Sequence, residues 1–368
     1  MAAGQAPSTP SPVLVTSVGA RTTLGLSALH AAMLMRARRG DPRSLSQKDK
    51  RGHRIGACRS PGLPVDLHGC DRLVALAAPA LRAAIPADSP PSEWAVLLAV
   101  AEPGRPDDDA RLGGSLLGEI AEASGISLDE RRSRTIRAGH AGTAVAMAAA
   151  MEEIAAGAKA VIVGGVDSYF HPEVLAWLDA ECRLHALGAE NGFVPGEGAG
   201  FLVLSASPGA SGRPPVQLRR ALAGYEESAI TDAPNVAEAM TAILHDLASH
   251  SPGGQLPWSL TDVNGERHRV REWRLAAGRG AFAERALHQR PTDDLGDLGA
   301  ASGAVFAAIA CELFRTGAAP AASVCVALAS EARERGAFLM SSEVTGPAST
   351  PEGSRPRARD TAGKELGR

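Results

Sequence analysis

Two stretches of the chain are apolar on nearly every side, and the rest is patterned around them. From Ala141 to Ala156 the only charged residues are Glu152 and Glu153. A helix of that composition belongs inside a core rather than on its surface. It begins near His140, after a short strand ending at Arg137 and a tight Ala-Gly-His turn. It leads into Ala160 to Val163, an apolar run without alternation, as expected of a strand covered on both faces. The second stretch, Ala304 to Phe314, has the same character. It leads into Ser323 to Ala329, again a buried strand.

Weaker periodicities fill in the remainder. Val13 to Ser17 reads as a first strand, and Leu24 to Met35 has helical spacing. Arg36 to Pro64, rich in charge, Gly and Ser, reads as an exposed loop. Cys70 to Ile85 is a helix with Leu73, Leu76, Leu81 and Ile85 on one stripe. Trp94 to Val100 is a buried strand, and Leu112 to Ala123 an amphipathic helix with Gly125 at its C-cap. Pro172 to Ala180 is a short helix, Cys182 to Asn191 a loop, and Phe201 to Leu204 a strand. Beyond the linker Pro208 to Pro215, Val216 to Tyr225 is a strand and Val236 to Ser249 an amphipathic helix. Trp258 to Val263 is a strand that ends in Asn264-Gly265, followed by Trp273 to Gly278. Pro291 to Gly303 is a turn-rich loop. The two halves thus echo each other, which favours a layered α/β architecture in which sheets sandwich central helices.

Composition changes this picture little. The chain has 368 residues, 45% hydrophobic and 21% charged, enough for two domains or one large duplicated one. Aromatics are only 4% against 40 glycines, so small residues must do the close packing. A net charge of −3 gives no reason to expect nucleic acid or an anionic membrane as partner. Cys58, Cys70, Cys182, Cys311 and Cys325 are odd in number and contain no CxxC pair, which argues against a disulfide framework and a metal site. Without a signal pattern or a membrane-length apolar run, a cytoplasmic protein is expected.

Three segments resemble the β-ketoacyl-ACP synthase branch of the thiolase-like superfamily. They are the Gly139-His140 turn with its Ala-rich helix and Gly164-Gly165-Val166-Asp167-Ser168; Gly192-Phe193-Val194-Pro195-Gly196-Glu197-Gly198-Ala199-Gly200; and Gly296-Asp297-Leu298-Gly299-Ala300-Ala301-Ser302-Gly303. The resemblance covers about residues 13–341. It implies a five-layer α/β/α/β/α sandwich of two similar halves, 13–207 and 216–341, between a flexible 1–12 and a disordered tail 342–368. It also implies a homodimer, a place in fatty acid or polyketide biosynthesis, acyl-CoA or acyl carrier protein thioesters as ligands, and no cofactor.

Synthases of this kind use a cysteine nucleophile, two histidines and a lysine. The resemblance puts His140 at the cysteine position, Asn264 at the first histidine and Asp297 at the second. The lysine and the C-terminal Gly-Phe-Gly-Gly turn have no counterpart; Ser330 to Ala337 stands in place of the turn. Gly139, Phe193 and Gly299 are the expected substrate contacts. An imidazole at a helix N-terminus is expected to be biased to its neutral form, suited to act as a base or to attack a thioester. Alternatively His140 merely fills the old pocket, Asp297 caps the following helix and Asn264 is a turn residue. Glu197 is expected to bond backbone N–H groups in its own glycine-rich turn, Gly164 and Gly165 to be packing and turn residues, and Cys182 to be structural. Two functions follow: an acyltransferase of unusual mechanism, or a non-catalytic, chain-length-factor-like partner of a companion ketosynthase, homodimeric or heterodimeric.

Overall fold

The computed structural model describes residues 12–40, 43–86, 93–186, 191–209, 212–231 and 233–342. The flexible N-terminus and disordered tail expected above fall outside that set, apart from Pro12 and Ser342. The first half runs β1 (Val13–Arg21), α1 (Ala28–Arg36), β2 (Arg43–Lys48), β3 (Arg54–Ala57), α2 (Gly69–Ala84) and β4 (Val96–Ala99). It continues through α3 (Ala110–Gly113), α4 (Leu116–Ser124), β5 (Arg134–Ile136), α5 (Gly142–Ala155), β6 (Ala160–Ser168), α6 (Pro172–Ala180) and β7 (Glu197–Ser205). The second half runs β8 (Val216–Tyr225), α7 (Glu238–Ser249), β9 (Leu256–Thr261), α8 (Arg267–Ala277) and β10 (Phe282–Gln289). Then come α9 (Thr292–Leu295), α10 (Ser302–Arg315), β11 (Ser323–Ala329) and β12 (Glu334–Ser341).

Strand pairing repeats between the halves. β5-β4-β6-β7-β1 has two parallel pairings followed by two antiparallel ones, and β10-β9-β11-β12-β8 has the same. Three residues, Val13, Leu14 and Val15, pair with Leu218, Gln217 and Val216 and join the halves into one ten-stranded sheet. Alternate side chains leave each strand on opposite faces, which builds the layers. Val161, Val163, Leu202, Val326 and Phe338 point inward to α5 and α10. Ile162, Phe201 and Val203 meet α2 and α4 on one outer face. Cys325, Ala337 and Leu339 meet α7 and α8 on the other. Phe201 is fully buried where a Cβ on Gly164 would lie 2.3 Å from its ring. Burying such a ring contributes about 2–3 kcal/mol. Gly164 and Gly165 therefore serve packing inside β6, not a turn.

Some expectations need correction. The segment taken for an exposed loop contains the β2–β3 hairpin, and Ile55 and Ala57 of β3 are buried with Tyr169, Phe170 and Val174. Glu197 does not bond its own turn. It starts β7, fully buried, and accepts from Arg72 at 2.5 and 2.7 Å, from the Ser60 N–H at 2.8 Å and from the Ser168 hydroxyl at 2.8 Å. A carboxylate that deep requires a full counter-charge and satisfied lone pairs. No helix among the described residues is long and apolar enough to cross a membrane.

Candidate functional site

Both central helices are entered in the same way. Gly139 (φ 53°) and Gly299 (φ 51°) take the left-handed conformation, each opening a three-residue 3-10 turn that runs on into α5 or α10. That conformation suits glycine because a Cβ would clash with the chain. The second residue of each turn is thereby placed at the junction between the halves. In the first half it is His140; in the second it is Ala300.

His140 is 2% exposed. Its Nε2 lies 2.8 Å from Asp297 Oδ1. Asn264 donates through Nδ2 to Asp297 Oδ2 at 2.6 Å, and the Gly299 N–H donates to Oδ1 at 2.8 Å. The three residues placed by resemblance therefore meet in one cluster centred on Asp297. The Val194–Gly196 segment holds that residue's backbone: the Asp297 N–H donates to Val194 O and the Gly196 N–H to Asp297 O. Through the Gly299 N–H, Asp297 also acts as a turn residue just before α10.

The electrostatic surroundings of His140 oppose the sequence expectation. Burial alone would push the His140 imidazole down, but the Asp297 carboxylate and its hydrogen bond outweigh this and raise it above the ordinary histidine value. Burial would likewise raise Asp297, yet His140, Arg269 and the Gly299 N–H hold it well below the usual carboxylate range. The expected bias towards a neutral imidazole is thus opposed by a local carboxylate, which acts at 2.8 Å while the helix end offers only partial charges. In its protonated form the ring has no lone pair with which to accept a proton or attack a thioester.

A cavity of about 280 Å³ opens beside this cluster. Gly139, His140 and Gly299 line it together with Tyr169, Trp177 and Arg183. Phe193, expected at the substrate, is not in the lining. It is 1% exposed and packs edge-on against Tyr169, ring centres 5.2 Å apart, so Tyr169 takes the cavity-facing place. Glu102, Arg105 and Glu331 line it too. Arg105 binds Asp167 at 2.7 and 3.2 Å and also Asp107. Arg183 binds Glu266 at 2.7 and 3.0 Å and Glu331 at 2.8 Å. Burial pushes the Tyr169 phenol well above its ordinary value, reinforced by the Asp297, Glu331 and Asp167 carboxylates, so it remains a donor. The start of the segment Ser330 to Ala337 is tied down. Ser330 donates to Ala138 O (2.6 Å) and accepts the Ala141 N–H (2.9 Å), and Glu102 accepts the Glu331 and Ala332 N–H groups.

Arg105, Tyr169, Arg183, Glu102 and Glu331 escaped the sequence reading because they sit in loops or strand ends without a motif. The signal was Asp167 in the Gly-Gly-Val-Asp-Ser segment, a buried acid that needed a cation. No thiol lines the cavity. Burial pushes Cys70 up to about 11 and Cys311 up to about 12, far from a thiolate. Among the described residues no group of three or more His, Cys, Asp or Glu is placed to hold a metal ion.

Comparison with known proteins agrees with this architecture. Residues 132–209, which include the His140 turn, α5, β6 and the Glu197 segment, match the β-ketoacyl synthase N-terminal domain. A search of curated sequences finds no match. Among solved structures, a type II polyketide acyl carrier protein in complex with its ketosynthase superposes with a TM-score of 0.74 at 16% identity, covering 90% of this chain and 100% of that one. The fold is that of the ketosynthases. The ketosynthase in complex with its chain length factor from Xenorhabdus doucetiae gives a TM-score of 0.70 at 15% identity over 92% of this chain and all of that one. The ishigamide ketosynthase/chain length factor gives 0.67 at 18% identity over 90% and 99%. On this ketosynthase fold, the residue at the head of α5 is a histidine closed onto an aspartate.

Proposed function

We propose that the protein is a non-condensing, chain-length-factor-like partner of a cysteine-bearing ketosynthase, rather than an acyltransferase in its own right. The observation that carries this reading is the His140–Asp297 pair. It occupies the head of α5 with an imidazole closed onto a carboxylate at 2.8 Å, both buried, where condensing chemistry needs a thiol nucleophile. The absence of a thiol from the cavity lining supports it.

A second observation concerns α5. Val145, Ala148, Ala149 and Glu152 lie at i, i+3, i+4 and i+7, one face of the helix, and the apolar three are only half-buried. This face stays partly open although the helix is apolar nearly all round, and β5 beside it ends the sheet. Such a surface suits a packed partner, and one of the similar structures is a ketosynthase in complex with its chain length factor.

The enzyme reading keeps one feature, that His140 borders an open cavity. The test is co-expression with a cysteine-bearing ketosynthase from the same organism, beside turnover of acyl-CoA and acyl carrier protein thioesters by the wild type and His140→Ala. Co-purification with no turnover from either chain is expected. Turnover by the isolated wild type, lost in His140→Ala, would establish the enzyme instead.

A further inference from the structure

Three polar atoms on residues that line the cavity beside His140 have no partner among the described residues. Tyr169 is 4% exposed, and its hydroxyl makes no hydrogen bond there. The Thr143 and Ser302 hydroxyls are also unpartnered but are sealed inside the core, whereas the Tyr169 oxygen is not. His140 uses Nε2 for Asp297, and its Nδ1 makes no hydrogen bond. The exposed Glu331 accepts from Arg183 (2.8 Å) and Arg269 (2.7 Å) through Oε1 alone, which leaves Oε2 open. Polar groups in so sheltered a place call for an occupant that meets them.

Charge around the cavity is unbalanced towards acid. Arg105 is shared by two carboxylates, Asp167 and Asp107, and Arg183 by two, Glu266 and Glu331. Glu102 spends its carboxylate on two backbone N–H groups and pairs with no cation among the described residues. The remaining bases, His140 and Arg269, are matched by Asp297 and Asp262. Burial does most to raise the Tyr169 phenol, and the Asp297, Glu331 and Asp167 carboxylates raise it further, as a negative potential at the hydroxyl requires. A cation is therefore the occupant this space favours. Among the described residues no three acids, histidines or cysteines converge to hold a metal ion. Arginines already lie over the Tyr169 and Trp177 rings, 5.2 and 5.3 Å from their centres, so recognition falls to N–H donors rather than to an aromatic cage.

We infer that the cavity binds a small primary amine as its ammonium ion. The ammonium N–H groups donate to the Tyr169 oxygen and to Glu331 Oε2, and a neutral His140 ring offers Nδ1 as a third acceptor. Ala101, Pro103 and Ala332 line the same cavity of about 280 Å³ and suit a short alkyl chain. Such a ligand is opposite in kind to an acyl thioester, and its binding does not depend on whether the chain pairs with a ketosynthase.

The probe is n-butylammonium chloride, titrated into the full chain at constant ionic strength with butyrate and tetramethylammonium alongside. Saturable binding of n-butylammonium is expected, about tenfold tighter than either control. Tyr169→Phe removes one acceptor but keeps the ring packed on Phe193. Because that hydroxyl has no partner in the fold, the variant should melt with the wild type and bind about tenfold more weakly. Glu331→Gln, which keeps the shape of the side chain, should weaken binding by a similar factor. Absence of saturable n-butylammonium binding overturns the inference. Butyrate binding as tightly overturns it, and so does tetramethylammonium binding as tightly, since that ion has no N–H to donate. Unchanged affinity in Tyr169→Phe and Glu331→Gln places the amine elsewhere and overturns it as well.

Discussion

α5 and α10 are the same device used twice, and the differences between them carry the functional argument. Each follows a left-handed glycine and a 3-10 turn, and each lies between the two halves of the sheet. α10 is buried from Ser302 through Leu313. α5 is not; Val145, Ala148, Ala149 and Met151 are half-buried, and Glu152 is exposed. At their heads the contrast is chemical. Ala300 only donates its N–H to Asp167 (2.9 Å), whereas the buried His140 side chain hydrogen-bonds Asp297 (2.8 Å). α10 is buried along nearly its whole length, and α5, which carries His140 at its head, keeps a half-buried stripe.

The largest effect should come from breaking this asymmetry in the core. Ala307→Glu, on fully buried α10, should cost more than about 5 kcal/mol and leave no cooperative urea transition. Ala148→Glu on the α5 stripe should cost under about 1 kcal/mol in the isolated chain and abolish association with a ketosynthase. Equal destabilisation by the two would show that the α5 face is simply core.

The entry turns should differ next. At Gly299 a Cβ would meet Asp167 Oδ2 at 2.0 Å, and that carboxylate is fixed by Arg105. At Gly139 it would meet Glu102 Oε1 at 3.0 Å. With similar positive φ at both, Gly299→Ala should lose about 3–5 kcal/mol and Gly139→Ala about 1–2 kcal/mol by chemical denaturation. A reversed order would contradict the packing described around Asp167.

A smaller effect concerns pH. The folded pKa of His140 lies above its unfolded value, so its contribution is complete below about pH 6.5 and is lost as pH rises through the folded value. Asp297 is depressed, so its contribution is present above about pH 4 and is lost as pH falls towards the folded value. Between pH 6 and 9 the urea midpoint of the wild type should therefore drop, and that of Asp297→Asn should drop less. Parallel curves would mean that no ion pair forms.

Legibility in the sequence follows the same contrast. β4, α5, β6, α10 and β11 are plain in the chain because buried apolar runs write themselves directly. α8 is not, since its inward residues Arg269 and Glu272 are buried through ion pairs rather than apolar contact. β10 alternates weakly and is mostly exposed at the sheet edge. In the site, His140, Asn264 and Asp297 could be placed by spacing and resemblance. Their charge could not, because it depends on a 2.8 Å contact across 157 residues of chain. Arg105, Arg183 and Glu331 come from separate loops that only the fold brings together.

Native mass spectrometry of the protein mixed with a cysteine-bearing ketosynthase and an acyl carrier protein thioester tests the central claim most directly. A one-to-one complex in which any acyl adduct resides on the ketosynthase chain alone is the predicted result. An adduct on this chain that disappears in His140→Ala would contradict it.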